Sequence, residues 1–221
     1  MRSLIFTGGR HPDTQIFLSY ITPYSFVVAA DSGFDAALSA GITPDVIVGD
    51  MDSLKNIEAL NLIEPNKVKK FSEDKDLSDT EIAFNYCVSS GSDDIVLIGG
   101  GGGRMDHFFA LRKLFDRKNC PSSWIGEDTI LVKVENKCIE IRGLDKEDCI
   151  SIFPAGSIYH DCISEGFFWP IDNLNWEKGE YSLSNRSQSS NVRFYAKKGR
   201  FLVVLPLKEG LTFQNINEIS E

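Results

Sequence analysis

The apolar residues of this chain follow two different patterns. In the first half, short unbroken runs ("SLIFTGG", "FVVAADSG", "DVIVGD" and "DIVLIGGGGG") each give way to glycine or aspartate. Near-continuous Val, Ile and Leu runs predict strands buried on both faces, as in a parallel sheet covered by helices. Segments with helical spacing lie between them, and the clearest is "SDTEIAFNYCVSS". Ser78 as N-cap with Glu81 three residues later forms a capping box, and the pairs Ile82/Tyr86 and Ala83/Cys87 repeat at four-residue spacing. A second helix is predicted from about Met105 to Arg117, burying Phe108, Leu111 and Phe115. Strands alternating with helices imply an open, doubly wound parallel sheet.

Further on, the period becomes two. "TILVKVENKCIEIRG" alternates apolar and polar residues around Glu135-Asn136-Lys137, which predicts a hairpin. "CISIFP" and "RFLVVLPL" continue the strand signal, with turns near "PAG", "EKGE" and "KKGR". No helical pattern follows residue 118 until the last few residues. The expected architecture is an α/β doubly wound parallel sheet domain at residues 1–127, followed by an all-β sandwich domain at 128–221. Trp124-Ile125 is a candidate last strand of the first domain.

At 221 residues, 42% hydrophobic and 25% charged, the chain can bury a sizeable core. Its formal net charge of −9 argues against a nucleic-acid partner, which would want a basic stripe. Small phosphate ligands remain compatible with it, provided a divalent cation neutralises them. The apolar run at the N-terminus, Leu4 to Phe6, is too short for a signal-peptide core, and no segment approaches a membrane span. Five cysteines without C-x-x-C spacing predict reduced thiols and a cytoplasmic location.

Ligands of open parallel sheets bind at the carboxyl ends of the strands. The unusual residues of the first half gather at those ends. Asp31 closes one strand, Asp50 and Asp52 close another, and five glycines close a third. "KFSEDKDLSDTE" adds acids just before a helix. Residues two apart in extended chain point the same way, so Asp50 and Asp52 can share one hard cation such as Mg²⁺. The competing reading makes Asp52 a helix cap. Likewise, Asp79 beside Ser78 complements a helix dipole, and the run from Glu73 to Glu81 forms a solvated face. In "GGGGGRMDH", residues 99 to 107, the glycines free backbone N–H groups to face an anion at the start of a helix, and Arg104 adds a planar bidentate donor. The bland alternative is a flexible loop with an Arg104–Asp106 ion pair. The loop is neither a Walker A sequence nor a complete G-x-G-x-x-G.

Taken in order, Asp31-Ser32-Gly33, "PDVIVGDMDSL", "KDLSDTE" and "GGGGGRMDH" resemble the thiamine pyrophosphokinase family, and "GFFWPI" and "SLSN" resemble its C-terminal signatures. The resemblance spans nearly the whole chain. It implies transfer of diphosphate from ATP to the hydroxyl of thiamine, leaving AMP, by a homodimer with sites between subunits. It implies that Asp50, Asp52 and Asp79 hold Mg²⁺, and that Arg104, oriented by Asp106, stabilises developing charge. Asp31, Lys75, Asp76, Gly101, Gly102, Gly103, Arg104 and His107 form the implied ATP and phosphate set. Ser184, Asn185 and Trp169 form the implied thiamine set, with Trp176 as an alternative stacking residue. Phe168 stands where the family commonly has Lys, and Arg186 where an acid often follows the Ser-Asn pair. Competing functions are diphosphate transfer to another hydroxymethyl heterocycle such as a pterin, a non-catalytic nucleotide-binding module, and a metal-dependent phosphohydrolase.

Overall fold

The computed structural model describes residues 1–72, 76–156 and 159–216. Two compact units emerge, one comprising residues 1–114 and 119–127, the other residues 115–118 and 128–221.

The first unit alternates strand and helix: β1 (Arg2–Phe6), α1 (Thr14–Ile21), β2 (Phe26–Ala30), α2 (Gly33–Ser39), β3 (Val46–Gly49), α3 (Ile57–Asn61), β4 (Val68–Lys70), α4 (Asp79–Ser89), β5 (Asp94–Ile98), α5 (Met105–Leu114) and β6 (Ser123–Ile125). Its strands lie in the order β6-β5-β1-β2-β3-β4, and each of these neighbours runs parallel. The apolar runs become the central strands: Leu4, Ile5 and Phe6 of β1, Val27 to Ala30 of β2 and Ile95 to Ile98 of β5 are buried. β4 escaped the sequence reading because it is short and mostly exposed, with Val68 alone half-buried, so it has no apolar run to announce it. The chain adds strands on one side of β1 up to β4, then returns to β5 on the other side. The topological switch point therefore lies between β1 and β5.

Helix α4 carries the predicted capping box in full. The Glu81 amide donates to Ser78 Oγ at 3.3 Å and the Ser78 amide to the Glu81 carboxylate at 3.1 Å. Ala83, Phe84 and Cys87 form its buried face. Helix α5 is shorter than predicted, ending at Leu114. The carbonyls of Phe115 and Arg117 instead accept hydrogen bonds from the Arg200 guanidinium, each at 2.7 Å, within the second unit. Leu111 and Phe115 are buried as expected. Phe108 is not: it is 49% exposed, with its ring 5.0 Å from that of Trp124.

The second unit holds β7 (Thr129–Glu135), β8 (Cys138–Arg142), β9 (Cys149–Ala155), β10 (Asp161–Glu165), β11 (Ser182–Arg186), β12 (Asn191–Lys198), β13 (Arg200–Pro206) and β14 (Thr212–Ile216). They form two antiparallel arrays, β11-β9-β13-β7 and β10-β12-β8-β14. The predicted hairpin does not form. Its two strands are present and its turn is real, with Asn136 at φ 49, but β7 pairs with β13 while β8 pairs with β12 and β14. Alternation in sequence predicts which face of a strand is buried, not which strand lies beside it.

Candidate active site

A cleft of about 760 Å³ opens in the first unit, lined by the ends of its strands. Thr7, Gly8 and Gly9 follow β1, Asp31 and Ser32 follow β2, and Asp50, Asp52 and Ser53 follow β3. Gly100, Gly101, Gly103 and Arg104 follow β5, and Ser78 to Glu81 open α4. This is the crevice that an open parallel sheet offers at its switch point.

The carboxylates converge here, though not by the route the sequence suggested. β3 ends at Gly49, and Met51, between the two acids, sits at φ 70. Asp50 and Asp52 therefore share a locality through a left-handed residue rather than through strand alternation. Asp31 also has positive φ, at 48. Such conformations are costly for non-glycine residues and cluster at functional sites. Carboxylate oxygens of Asp31, Asp50 and Asp52 lie within 4.8 Å of one another, a spacing that suits one hard cation. Asp31 Oδ1 is buried without a hydrogen-bond partner among the described residues. Burial pushes the Asp31 carboxyl above its usual range; hydrogen bonds from Ser32 and Ser53 counter this in part, while the charges of Asp79 and Asp50 reinforce it. An acid set of this chemistry fits a divalent metal ion.

Asp52 is not a helix cap. Asn56 caps α3, its side chain accepting from the Ala59 amide at 3.0 Å. Instead the Asp52 amide donates to Asp50 at 3.2 Å and its carboxylate accepts from Ser53 at 2.8 Å. Asp35 of α2 tethers the same loop, accepting from the amides of Lys55 at 2.8 Å and Asn56 at 3.0 Å. Asp35→Ala removes two hydrogen bonds to exposed amides, each with a net worth of about 0.5–1.5 kcal/mol. We expect it to destabilise the protein by about 1–2 kcal/mol and to weaken metal binding, as read by denaturant titration and Mn²⁺ titration; unchanged stability would show that water replaces the tether fully.

The glycine loop is more ordered than its composition suggests. The Gly99 amide donates to Ile125, the Gly100 amide to Gly8 and the Arg10 amide to Gly101, at 2.8–2.9 Å. Trp124 Nε1 donates to the Gly99 carbonyl at 2.7 Å. Two of the five amides are thus spent inside the fold. Gly101 and Gly103 face the cleft, whereas Gly102, at φ 65, packs under Arg10, where an added Cβ would lie 2.2 Å from Arg10 Cδ. Arg104 grips Asp106 with two hydrogen bonds, Nε to Oδ1 at 3.1 Å and Nη2 to Oδ2 at 2.5 Å. Those bonds hold the Asp106 carboxyl below its usual range. The pair is largely exposed, so it adds little stability and leaves the guanidinium facing solvent for a ligand. His107 and Asp76 also line the cleft, while Lys75 lies outside the described residues.

The residues suggested for thiamine belong to the second unit. Trp169 is half-exposed beside Phe168, at 4.7 Å between ring centroids, and the Arg186 guanidinium lies 4.7 and 4.9 Å from the two rings. Glu147 holds Arg186 by a salt bridge. Asn185 is buried, and its amide is consumed within the fold: it accepts from the Trp169 and Arg186 amides and donates to the Trp169 carbonyl and Ser182. It holds Trp169 in place rather than facing a ligand. Ser184 is exposed, at φ 53, with its amide bonded to Ser151 Oγ. Trp176 is core, 6% exposed and packed edge-on against Phe201.

Sequence reasoning missed the β1 end, "TGGRH". Its signal was the same as at β2, an apolar run stopping at small residues, but it carries no acid to draw attention.

Fold and site together define a class: a parallel α/β protein with a carboxylate cluster and a glycine turn meeting in one cleft at the carboxyl ends of its strands. Residues 17–121 match the family model described as thiamin pyrophosphokinase, catalytic domain, the family that the motifs of this chain resemble. The thiamine pyrophosphokinase of Bacillus subtilis (strain 168) is 24% identical over 206 residues, covering 84% of this chain and 89% of that protein. A crystal structure of the Bacillus subtilis enzyme superposes with a TM-score of 0.74 at 20% identity, covering 94% of this chain and 100% of that one. The yeast thiamin pyrophosphokinase superposes at 0.63 with 16% identity, covering 93% of this chain and 86% of that one. The described helices include none long and apolar enough to cross a membrane.

Proposed function

We propose that this protein is a thiamine diphosphokinase, transferring diphosphate from ATP to the hydroxyl of thiamine with release of AMP. The observation that carries the reading is the meeting of Asp31, Asp50 and Asp52 with the glycine turn and Arg104 in one cleft, on a stretch that matches the family's catalytic domain. Asp50, Asp52 and Asp79 would hold Mg²⁺: carboxylate oxygens of Asp50 and Asp52 lie within 4.8 Å of each other and of Asp31, and Asp79 lines the same cleft outside that group. When bound, the cation neutralises charge on the ATP phosphates. Transfer of this kind is mainly positioning plus electrostatic stabilisation, and in a chain of net charge −9 the protein's own positive contribution is local. Arg104, fixed by Asp106, and the N–H groups of Gly101 and Gly103 face the charge that develops as the β-phosphorus is attacked. One of the clustered acids takes the proton of the substrate hydroxyl.

In this reading the first unit is the doubly wound ATP-binding domain, and the second is a β-sandwich that contributes the acceptor contacts and the dimer interface. Trp169 offers an aromatic face to the cationic ring of thiamine and Ser184 a polar contact, in a cytoplasmic homodimer. The test is phosphorus NMR of the protein with thiamine, ATP and Mg²⁺. AMP and thiamine diphosphate should appear together. ADP with thiamine monophosphate would overturn diphosphate transfer, and phosphate release without a thiamine product would favour a hydrolase.

A further inference from the structure

We infer that Thr7 is a positioning residue, setting the first turn of α4 and with it the carboxylate of Asp79. Thr7 follows β1 directly and is 5% exposed. Its amide donates to the Ile98 carbonyl at 3.0 Å, which continues the pairing with β5. Its methyl faces Gly100, 3.4 Å from where a Cβ there would stand. Its hydroxyl meets the Thr80 hydroxyl at 2.5 Å. One small side chain therefore touches the glycine loop on one side and the second residue of α4 on the other.

The buried face of α4 cannot do this work alone. Ala83 and Phe84 anchor the helix to the sheet through apolar contact, which is non-directional and tolerates sliding or rotation by a fraction of an ångström, and the Cys87 thiol, hydrogen-bonded with Ser3 of β1, acts about two turns beyond the first turn. The capping box closes the first turn upon itself through Ser78 and Glu81 and does not reach the sheet. A hydroxyl–hydroxyl bond depends on both distance and angle, so Thr7–Thr80 fixes where the turn begins. Asp79, adjacent to Thr80, lines the cleft and bears on Asp31 through its charge.

The placement of α4 stands on this geometry, and its consequence for a metal rests on the function proposed above. Thr7→Val keeps the shape and removes the hydroxyl; Thr7→Ser keeps the hydroxyl. Hydrogen exchange of the metal-free protein should show amides of residues 82–84, whose acceptors lie in the first turn of α4, exchanging about three- to tenfold faster in Thr7→Val than in the parent, the range of one neutral hydrogen bond. Thr7→Ser should restore them to within about twofold. Mn²⁺ titration by electron paramagnetic resonance, with ATP present, should weaken by a similar factor. Turnover should fall and the KM for thiamine should stay unchanged. Thr80→Val should match Thr7→Val, and the double variant should be no worse than either, because both remove one contact. Unchanged exchange at 82–84 in Thr7→Val would overturn the inference, as would a general loss of stability that Thr7→Ser fails to rescue. A parent protein that binds no Mn²⁺ would instead retire the proposed function, and the exchange data would still decide the role of Thr7.

Discussion

Asp50→Asn and Asp52→Asn are each expected to lower turnover by at least about 10²-fold, the low end of what one positioned catalytic group supplies. The substitution keeps size and shape and removes charge from a cluster whose oxygens lie within 4.8 Å of one another. The concentration of Mg²⁺ giving half-maximal rate should rise in both variants. Stability without metal should hold or increase, because one like charge leaves a group of three. The helix-cap reading would have predicted that Asn substitutes well at position 52, but Asn56 fills that role at α3. Rate against Mg²⁺ concentration, with thermal unfolding in parallel, checks the result. Turnover near that of the parent in Asp52→Asn, with an unshifted Mg²⁺ curve, would end the shared-metal assignment.

Gly33→Ala should be the most damaging single methyl in the first unit, costing about 3 kcal/mol or more. A Cβ at Gly33 would stand 2.1 Å from the Phe6 carbonyl oxygen and 2.9 Å from the Thr7 nitrogen, both backbone of the buried β1 end. No side chain there can swing aside, so α2 must lift from the sheet and carry Asp31 with it. Gly41→Ala is the control. Gly41 has φ 73 but nothing within 4 Å of an added Cβ, so only backbone strain of about 1–2 kcal/mol opposes the change. Denaturant unfolding of the two variants should separate them clearly. Equal costs would mean that the β1 end yields to the added methyl, and that the close approach is not what Gly33 provides.

Much of this could be read before any coordinates. The central parallel strands were legible because strands covered on both faces must be apolar throughout, whereas the short edge strand β4 was not. The α4 capping box was legible because it is a local exchange of hydrogen bonds across three residues. Acids and glycines at strand ends pointed to the cleft, since a parallel sheet puts those ends together. Non-local matters were not legible. Nothing in "TGGRH" says that its backbone is bonded to a glycine loop some ninety residues later, as the Arg10–Gly101 bond shows. Nor does "SLSN" reveal that the Asn185 amide is spent on holding Trp169.

What the sequence determined by itself is therefore the period of each element, the acids and glycines that end the strands, and the family those motifs resemble. All of these rest on neighbours within a few positions of one another. The tertiary structure decided the partners: that β7 pairs with β13 instead of β8, that Asp31 joins Asp50 and Asp52, and that Thr7 meets Thr80. The reason is physical. Alternation and capping are enforced by local geometry, whereas a contact between distant residues exists only when the packing of the whole sheet brings two strand ends within a hydrogen bond of each other, and many pairings satisfy the same local pattern.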